Sequence, residues 1–347
     1  MYKRISTLGL TLTFLMGFCF HGNLFGMYYR NFAIEGDYVY LKRDRTHEAD
    51  LVQTAGFPQP PLPIIPKTPC GPKPEKPSKC TKPEGHDLIT TNNLSNRMSY
   101  EPGLRVSFKL FYNTCSTWEF RYTGLLHWKG KKEVECPHNL RIPTCFVDQT
   151  QDYKFADRAS SIYCSDFFTY DLNYWRHVTP QYINMFSVSW TMGLRYIDID
   201  EKLRLSFTKN ESSSHYRVKT FSHLFGPQFG GDFECNPYRW LTWGFGVRLG
   251  PLFCHSEQRT FMNDVNGTVV LKDFHRRGSN FAYLAEVFPF IDFFVTRHFT
   301  FHFSYEVFHV GNVALADNQV DFLDGDDLHH KGNITYHGFF AGLQFNF

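Results

Sequence analysis

After its first 20 residues, the 347-residue sequence has no long uninterrupted apolar segment. A membrane-spanning helix needs about 20 apolar residues, so we expect the rest of the chain to be either soluble or a β-barrel. A basic surplus is also missing, because the formal net charge is only +2. This balance argues against a nucleic-acid partner.

The sequence also lacks the patterns of metal and catalytic sites. It contains no CxxC pair and no Cys/His cluster with zinc spacing. The acidic segment DNQVDFLDGDD, which begins at Asp317, misses the EF-hand spacing, and we expect a solvated loop there. No Ser, His and acid stand out as a catalytic set. We therefore predict a protein without a metal, a cofactor or enzymatic activity.

The N-terminal segment has the layout of a secretory signal peptide. Lys3 and Arg4 precede an apolar run from about Leu8 to Phe20, which is too short to span a bilayer as a helix. We expect residues 1–26 to be the signal peptide, with cleavage after Gly22 or Gly26, and residues 27–347 to form a single domain.

Aromatic residues are unusually frequent, with 37 Phe and 19 Tyr, although the mean hydropathy is −0.35. Many segments alternate between apolar and polar residues, as in GLRVSFKLF (103–111), where Arg105, Ser107 and Lys109 share one face. A soluble β-sandwich alternates as well. Segments of about 10 residues with a strongly aromatic face are, however, typical of tilted transmembrane strands. We predict an all-β fold, a transmembrane antiparallel β-barrel in the bacterial outer membrane.

Both termini of such a barrel are periplasmic, so the strand number is even and the long connections face outward. We expect the long stretches 43–101, 129–165 and 309–334 to be extracellular. The strands at 203–209 and 267–275 are the weakest of about twelve, and without them the barrel has ten. The predicted strands are 32–42, 103–112, 117–128, 166–176, 184–199, 203–209, 215–230, 239–254, 267–275, 280–291, 298–308 and 335–347.

The extracellular loop 43–101 includes a proline-rich segment. Residues 57–86 contain ten prolines, which exclude a helix and a central strand. We expect a semi-rigid, polyproline-like conformation, which a bond between Cys70 and Cys80 would tie.

The polar strand faces supply a candidate pore lining of five positive and four negative residues. Such a balance favours weak ion selectivity, and pairing across the lumen would narrow or close it. A barrel of about twelve strands lies between packed eight-stranded and open 16-stranded barrels, so we expect a small conductance. The candidates are Arg105, Lys109, Arg121, Arg195 and Arg248 with Glu119, Asp171, Glu286 and Glu306.

Removal of the signal peptide, with Cys19, leaves eight cysteines, and an even number in an exported chain suggests disulfides. The strand map places Cys115 and Cys254 toward the periplasmic turns and the other six in or beside outer loops. Each group could pair internally or cross-link to other cysteine-rich envelope proteins. The candidates are Cys70, Cys80, Cys115, Cys136, Cys145, Cys164, Cys235 and Cys254.

The last segment, FAGLQFNF (340–347), alternates up to Phe347. A closed barrel pairs its last strand with its first, and a final aromatic residue is similar to the C-terminal signal of bacterial outer-membrane barrels. We expect the barrel-assembly machinery to recognise this strand, and outer-membrane lipid to surround the barrel.

Three stretches resemble the β-barrel porin family of planctomycetes and chlamydia-like bacteria. They are GLRYIDIDEKLRLSF (193–207), YRVKTFSHLFGPQFGG (216–231) and YEVFHVGNVALADNQ (305–319). The resemblance extends over roughly residues 100–347. It implies an outer-membrane barrel and supplies no catalytic residue.

Two functions follow from these patterns. The polar face of the strands, which is directed into the barrel, favours a small passive pore for small solutes. The cysteines and the proline-rich loop favour a structural or adhesive surface protein, cross-linked by disulfides and without an open channel.

Overall fold

The computed structural model describes residues 31–44, 49–55, 87–113, 115–143, 150–178, 185–320 and 328–347. Several predictions concern residues outside these ranges. They are the signal peptide, the proline-rich segment 57–86 with Cys70 and Cys80, and Cys145.

The described chain is built almost entirely of strands, with one short helix, α1. The elements are β1 (Phe32–Asp44), β2 (Asp50–Thr54), β3 (Asp87–Thr90), α1 (Thr91–Ser95), β4 (Glu101–Asn113), β5 (Ser116–Arg141), β6 (Lys154–His177), β7 (Phe186–Lys209), β8 (Ser212–Tyr238), β9 (Leu241–Asp264), β10 (Val269–Phe294), β11 (Phe299–Val313) and β12 (Gly332–Asn346).

All twelve strands belong to one antiparallel sheet, and ten of them close into a ring. The ring contains β1 and β4 to β12, because β1 pairs with both β4 and β12, and β5 pairs with β6. The hairpin β2–β3 continues the sheet from the outer end of β5, where Gln53 pairs with Arg141. The predicted fold class is confirmed, and the ring has the lower of the two predicted strand numbers.

The predicted strands at 203–209 and 267–275 are parts of longer strands. Residues 158–177 of β6 pair without interruption with residues 189–208 of β7. The sequence around Glu201 resembles a polar turn, but Glu201 is buried inside the barrel while Lys202 faces outward. The alternation therefore continues through this point. The second weak segment likewise belongs to β10.

Because 203–209 and 267–275 are not separate strands, the strands between them cross the barrel in the direction opposite to the predicted one. Cys235 consequently lies near the periplasmic turn between β8 and β9, and Cys254 lies in the outer part of β9. With periplasmic termini, the ten-stranded ring thus exchanges the ends that the twelve-stranded map predicts for these two cysteines. Cys115 lies at the turn between β4 and β5, at the same end of the barrel as Cys235. Among the described residues, no two cysteines are bonded to each other.

The outward surface near the periplasmic end is a band of exposed apolar side chains. On β7 it runs from Phe186 to Tyr196, about 25 Å along the barrel axis for a tilted strand. Its upper edge on the next two strands is marked by Phe225 and Phe253. The part of the barrel beyond Tyr196, Phe225 and Phe253 is called the extracellular half. The part that the apolar band surrounds is called the periplasmic half.

Strands β5 to β10 contain 24 to 27 residues, far more than a tilted strand needs to cross a bilayer, about 9–11. They therefore project well beyond the band. The stretch 129–165, predicted as an outer loop, is mostly strand, because β5 and β6 continue pairing to Arg141 and Lys154. No described helix is long and apolar enough to cross a membrane.

Candidate functional site

The barrel interior is the candidate site, because strand alternation directs the polar residues into it. All nine predicted pore-lining residues lie on the interior face. Eight are buried, and Lys109 is partly buried. They are Arg105, Lys109, Glu119, Arg121, Asp171, Arg195, Arg248, Glu286 and Glu306.

Ion pairs connect these residues across the lumen. The guanidinium of Arg105 on β4 binds both carboxylate oxygens of Glu306 on β11, at 2.5 and 2.6 Å. Glu286 on β10 accepts from Arg195 on β7 and from Arg248 on β9, each at 2.6 Å. The Arg105–Glu306 and Arg195–Glu286 pairs join strands that are not neighbours in the ring, so they cross the interior. Arg248 lies directly opposite Glu286 on the neighbouring strand.

Two further pairs lie nearer the periplasmic end. Lys109 Nζ donates to Glu35 Oε2 at 2.6 Å and to Gln344 Oε1 at 2.9 Å. Arg121 donates to Glu119 Oε1 at 2.9 Å. Glu35 was missed in the sequence analysis because the alternation of β1 was not used to assign its polar face.

Glycines on β9 make room for aromatic rings inside the periplasmic half. Gly244 and Gly246 face the interior, and a Cβ added at Gly246 would lie 2.1 Å from the ring of Phe288 on β10. Phe290 crowds Gly244 in the same way. The guanidinium of Arg248 lies over the rings of Phe288 and Trp175, 4.3 and 5.4 Å from their centroids. The repeated glycines of WGFGVRLG thus accommodate an aromatic wall.

A cavity of about 130 Å³ lies in the periplasmic half. Its lining includes Phe111, Thr117, His177, Phe294 and Thr300, which stand at or within two residues of the periplasmic strand ends. A second space of about 10 Å³ lies above it, among the ion pairs of Arg105 and Arg195. Of these two spaces, the larger therefore lies toward the periplasmic strand ends.

The extracellular half is filled by apolar side chains from both the wall and a loop. The wall contributes large buried residues such as Trp128, Tyr163, Phe207 and Tyr336. The strap, residues 314–320 between β11 and β12, packs its buried residues Leu315 and Ala316 into this core. A hydrogen bond from Ser222 Oγ to the carbonyl oxygen of Ala314, at 3.1 Å, fixes the strap to β8.

Glu201 is the polar centre of the extracellular half. Arg43 Nη2 donates to Glu201 Oε1 at 2.6 Å, and Tyr163 donates to Oε2 at 2.7 Å. The backbone N–H of Ala316 in the strap donates to Oε2 at 2.9 Å, and Ser165 donates to Oε1 at 3.2 Å. Glu201 therefore joins β1, β6, β7 and the strap.

Asp317 in the strap is also buried, which corrects the expectation of a solvated loop at this position. Burial and the nearby carboxylate of Glu201 raise its pKa from the ordinary 3.8 to about 7. The other aspartates of the acidic segment lie outside the described residues. No group of three or more potential metal ligands occurs in the part of the chain that the structure describes.

An outward apolar band, an ion-paired interior and a closed antiparallel ring define a transmembrane β-barrel. No family model matches the sequence, and no curated protein matches it. Among solved structures, the outer membrane protease OmpT from Escherichia coli is similar with a TM-score of 0.50 and 9% identity, over 94% of this chain and 99% of that chain. Similarity at this identity concerns the fold alone.

Two other solved structures are similar with lower scores. The outer membrane protein OprG from Pseudomonas aeruginosa has a TM-score of 0.30 and 8% identity, over 91% of this chain and 95% of that chain. The Ail protein of Yersinia pestis has a TM-score of 0.23 and 8% identity, over 91% and 99%. The lipid-facing band and the fold together locate the chain in a bacterial outer membrane.

Proposed function

We propose that this protein is a structural or adhesive surface barrel whose lumen is closed in its resting state. The observation that carries the proposal is the continuous apolar core of the extracellular half, into which the strap is packed. A water-filled passage would require this core to separate, and buried apolar contacts of this kind strongly favour the closed arrangement. The projecting ends of β5 to β10 then offer the surface for contacts outside the cell.

Planar bilayer recordings test this proposal directly. We expect the purified full chain to give no stable conductance steps at moderate voltage. Deletion of residues 314–320 tests whether the strap alone closes the lumen. We expect that variant to remain closed as well, because wall residues such as Trp128 and Phe207 still fill the extracellular half. Regular conductance steps from the unmodified chain would contradict the proposal.

A small passive pore is the second candidate, and the charged periplasmic half favours it. Its interior carries ion pairs and a polar cavity rather than an apolar core. In this case the strap would act as a gate, and its deletion would produce conductance that the complete chain lacks. Weak cation selectivity is expected, because the interior carboxylates of this half, which include Glu35, Asp232 and Glu234, outnumber its lysine and arginine side chains. Strong selectivity would argue against this candidate.

We further infer that the protein is not an enzyme and that it is related to the β-barrel porin family named above. Of the three stretches that resemble this family, 193–207 includes Glu201 and 305–319 includes most of the strap. Glu201 and the strap are in contact in the extracellular half. Assays of purified protein against peptide substrates test the first inference, and turnover by the folded barrel would refute it.

Assembly and partners remain proposals too. Phe347 pairs with the start of β1 through a hydrogen bond from its N–H to the carbonyl oxygen of Phe32, at 2.9 Å. The last strand is thus paired up to its final residue in the closed ring. We expect the barrel-assembly machinery to recognise this strand before the ring closes. Cross-linking to cysteine-rich envelope proteins is tested by non-reducing electrophoresis, where high-mass species should disappear on reduction.

A further inference from the structure

The cavity of the periplasmic half contains two carboxylates that form no ion pair with any residue the structure describes. Asp232 and Glu234 both line it and lie two residues apart on the interior face of β8, about 7 Å from each other along the strand. Glu234 is only 8% exposed. Its Oε2 accepts from the hydroxyl of Ser187 at 2.8 Å, and neither carboxylate forms an ion pair with a described residue.

The other charges of the cavity are already paired. Lys109 binds Glu35, Arg121 binds Glu119, Arg105 binds Glu306, and Arg248 binds Glu286. His302 Nδ1 lies 2.6 Å from Asp292 Oδ1. Asp232 and Glu234 therefore give the cavity an acidic excess, and a carboxylate shielded from water without an ion pair is costly, which favours a bound cation.

The walls of the cavity indicate what kind of cation fits. Phe111, Phe290 and Phe294 line it together with the two carboxylates. Aromatic faces attract ammonium and guanidinium groups, and in this same cavity the rings of Trp175 and Phe288 already hold the guanidinium of Arg248. A bare metal ion lacks ligands, because no described group of three potential metal ligands is present.

We propose that this cavity binds a small organic cation, an ammonium or guanidinium compound, between Asp232, Glu234 and the aromatic wall. Its volume of about 130 Å³ is close to that of a cavity of about 150 Å³ that holds benzene. A ligand of this size enters from the periplasmic strand ends, where the cavity lies, and does not need to pass the apolar extracellular half. The proposal is independent of whether the barrel ever opens.

Methylguanidinium is the probe, and methylurea is its neutral counterpart of nearly the same shape. The full chain in detergent micelles is titrated with each compound by calorimetry and by saturation-transfer NMR at constant ionic strength. We expect methylguanidinium to bind at least tenfold more tightly than methylurea. Equal affinity, or no saturation with methylguanidinium at tens of millimolar, overturns the proposal.

Matched variants locate the binding site. Glu234→Gln and Asp232→Asn keep the side-chain shape and remove one charge, and each is expected to weaken methylguanidinium binding about tenfold. Glu135→Gln is the control, because this carboxylate is exposed at the outer end of β5 and pairs with Arg158. Its affinity should equal that of the unmodified chain.

Folding of each variant is checked by its heat-dependent electrophoretic mobility. If Glu234→Gln does not fold, Asp232→Asn and Phe290→Leu decide the question, since Phe290→Leu removes only the aromatic face and should weaken binding by a few fold. Unchanged binding in the folded carboxylate variants overturns the proposal, because the cation would then bind elsewhere.

Discussion

The two halves of the barrel interior are filled by different chemistry. In the periplasmic half, ion pairs such as Arg105–Glu306 cross the lumen and leave a polar cavity below them. In the extracellular half, apolar side chains and the strap pack around buried polar groups, of which Glu201 binds the strap. Both solutions stabilise the same ring of ten strands.

The difference follows from what surrounds each half. Inside the lipid band, the outward residues are apolar, so the alternating sequence places polar residues inside. Beyond the band the outward residues meet water, and the alternation inverts: on β7, Ile197 and Leu203 face the interior, whereas Lys202 and Arg204 face outward. One long strand therefore serves as a membrane strand at one end and as a strand of a soluble barrel at the other.

The largest expected effect comes from the polar centre of the extracellular half. Glu201→Gln removes the carboxylate that pairs with the fully buried guanidinium of Arg43 and should destabilise the folded barrel by about 3–5 kcal/mol. Urea unfolding in lipid vesicles measures this free energy. Glu133→Gln, which removes an exposed carboxylate 3.4 Å from Lys131, should cost less than about 1 kcal/mol. Similar losses in both variants would contradict the distinction between the buried and exposed pairs.

The second effect is a pH dependence confined to the strap. In the packed strap, the pKa of Asp317 is about 7, so its carboxyl is neutral below about pH 7, whereas release of the strap returns this pKa toward 3.8. The packed strap is therefore most stable below about pH 4, loses at most about 4 kcal/mol as the pH rises to about 7, and changes little above that.

Hydrogen exchange of the Ala316 amide, corrected for its intrinsic pH dependence, measures this loss, because that amide is bonded to Glu201 in the packed strap. Asp317→Asn should remove the dependence while Glu201 and Arg43 stay in place. Equal protection of the native strap at pH 5 and pH 8 would show that Asp317 does not titrate with its release.

The third prediction compares two leucines on the same strand. Leu205 is fully buried in the extracellular core, and Leu194 faces lipid. Leu205→Ala should cost about 2–4 kcal/mol, because it removes transfer free energy and leaves a cavity. Leu194→Ala leaves no internal cavity and should cost less than about 1 kcal/mol. Urea midpoints of the two variants test this order, and a reversed order would place the core on the other face of β7.

The membrane half of the fold could be predicted from sequence more readily than the other half. Aromatic alternation identified the fold class, because lipid imposes a strict pattern on strands such as 103–112 and 298–308. It failed at Asp200, Glu201 and Lys202, where three consecutive polar residues resemble a turn. The partners that make Glu201 an interior residue, Arg43 and the strap, lie far away in the chain.

The site shows the same limit. The alternation of polar residues predicted that nine charged residues face the interior. It could not predict which of them form ion pairs, because the pairing depends on the closed ring. Arg105 and Glu306 are 201 residues apart in sequence and 2.5 Å apart in space. Asp232 and Glu234 were missed because the polar face of β8 was not assigned, and no pattern distinguishes a carboxylate without a cation from a paired one.

The smallest expected effect on stability, and the sharpest test of strand direction, comes from the turns of β7–β8 and β8–β9. The ten-stranded ring places the turn at Asn210 and Glu211 outside the cell and the turn at Arg239 in the periplasm. A twelve-stranded map, in which 203–209 is a separate strand, exchanges these sides.

A short epitope inserted after Asn210 should therefore be labelled by antibody on intact cells, whereas one inserted after Arg239 should be labelled only after the outer membrane is permeabilised. Both turns are exposed, so each insertion should change the free energy of unfolding by less than about 1 kcal/mol. Labelling of the Arg239 epitope alone on intact cells would restore the twelve-stranded direction and, with it, reverse the assignment of the two halves.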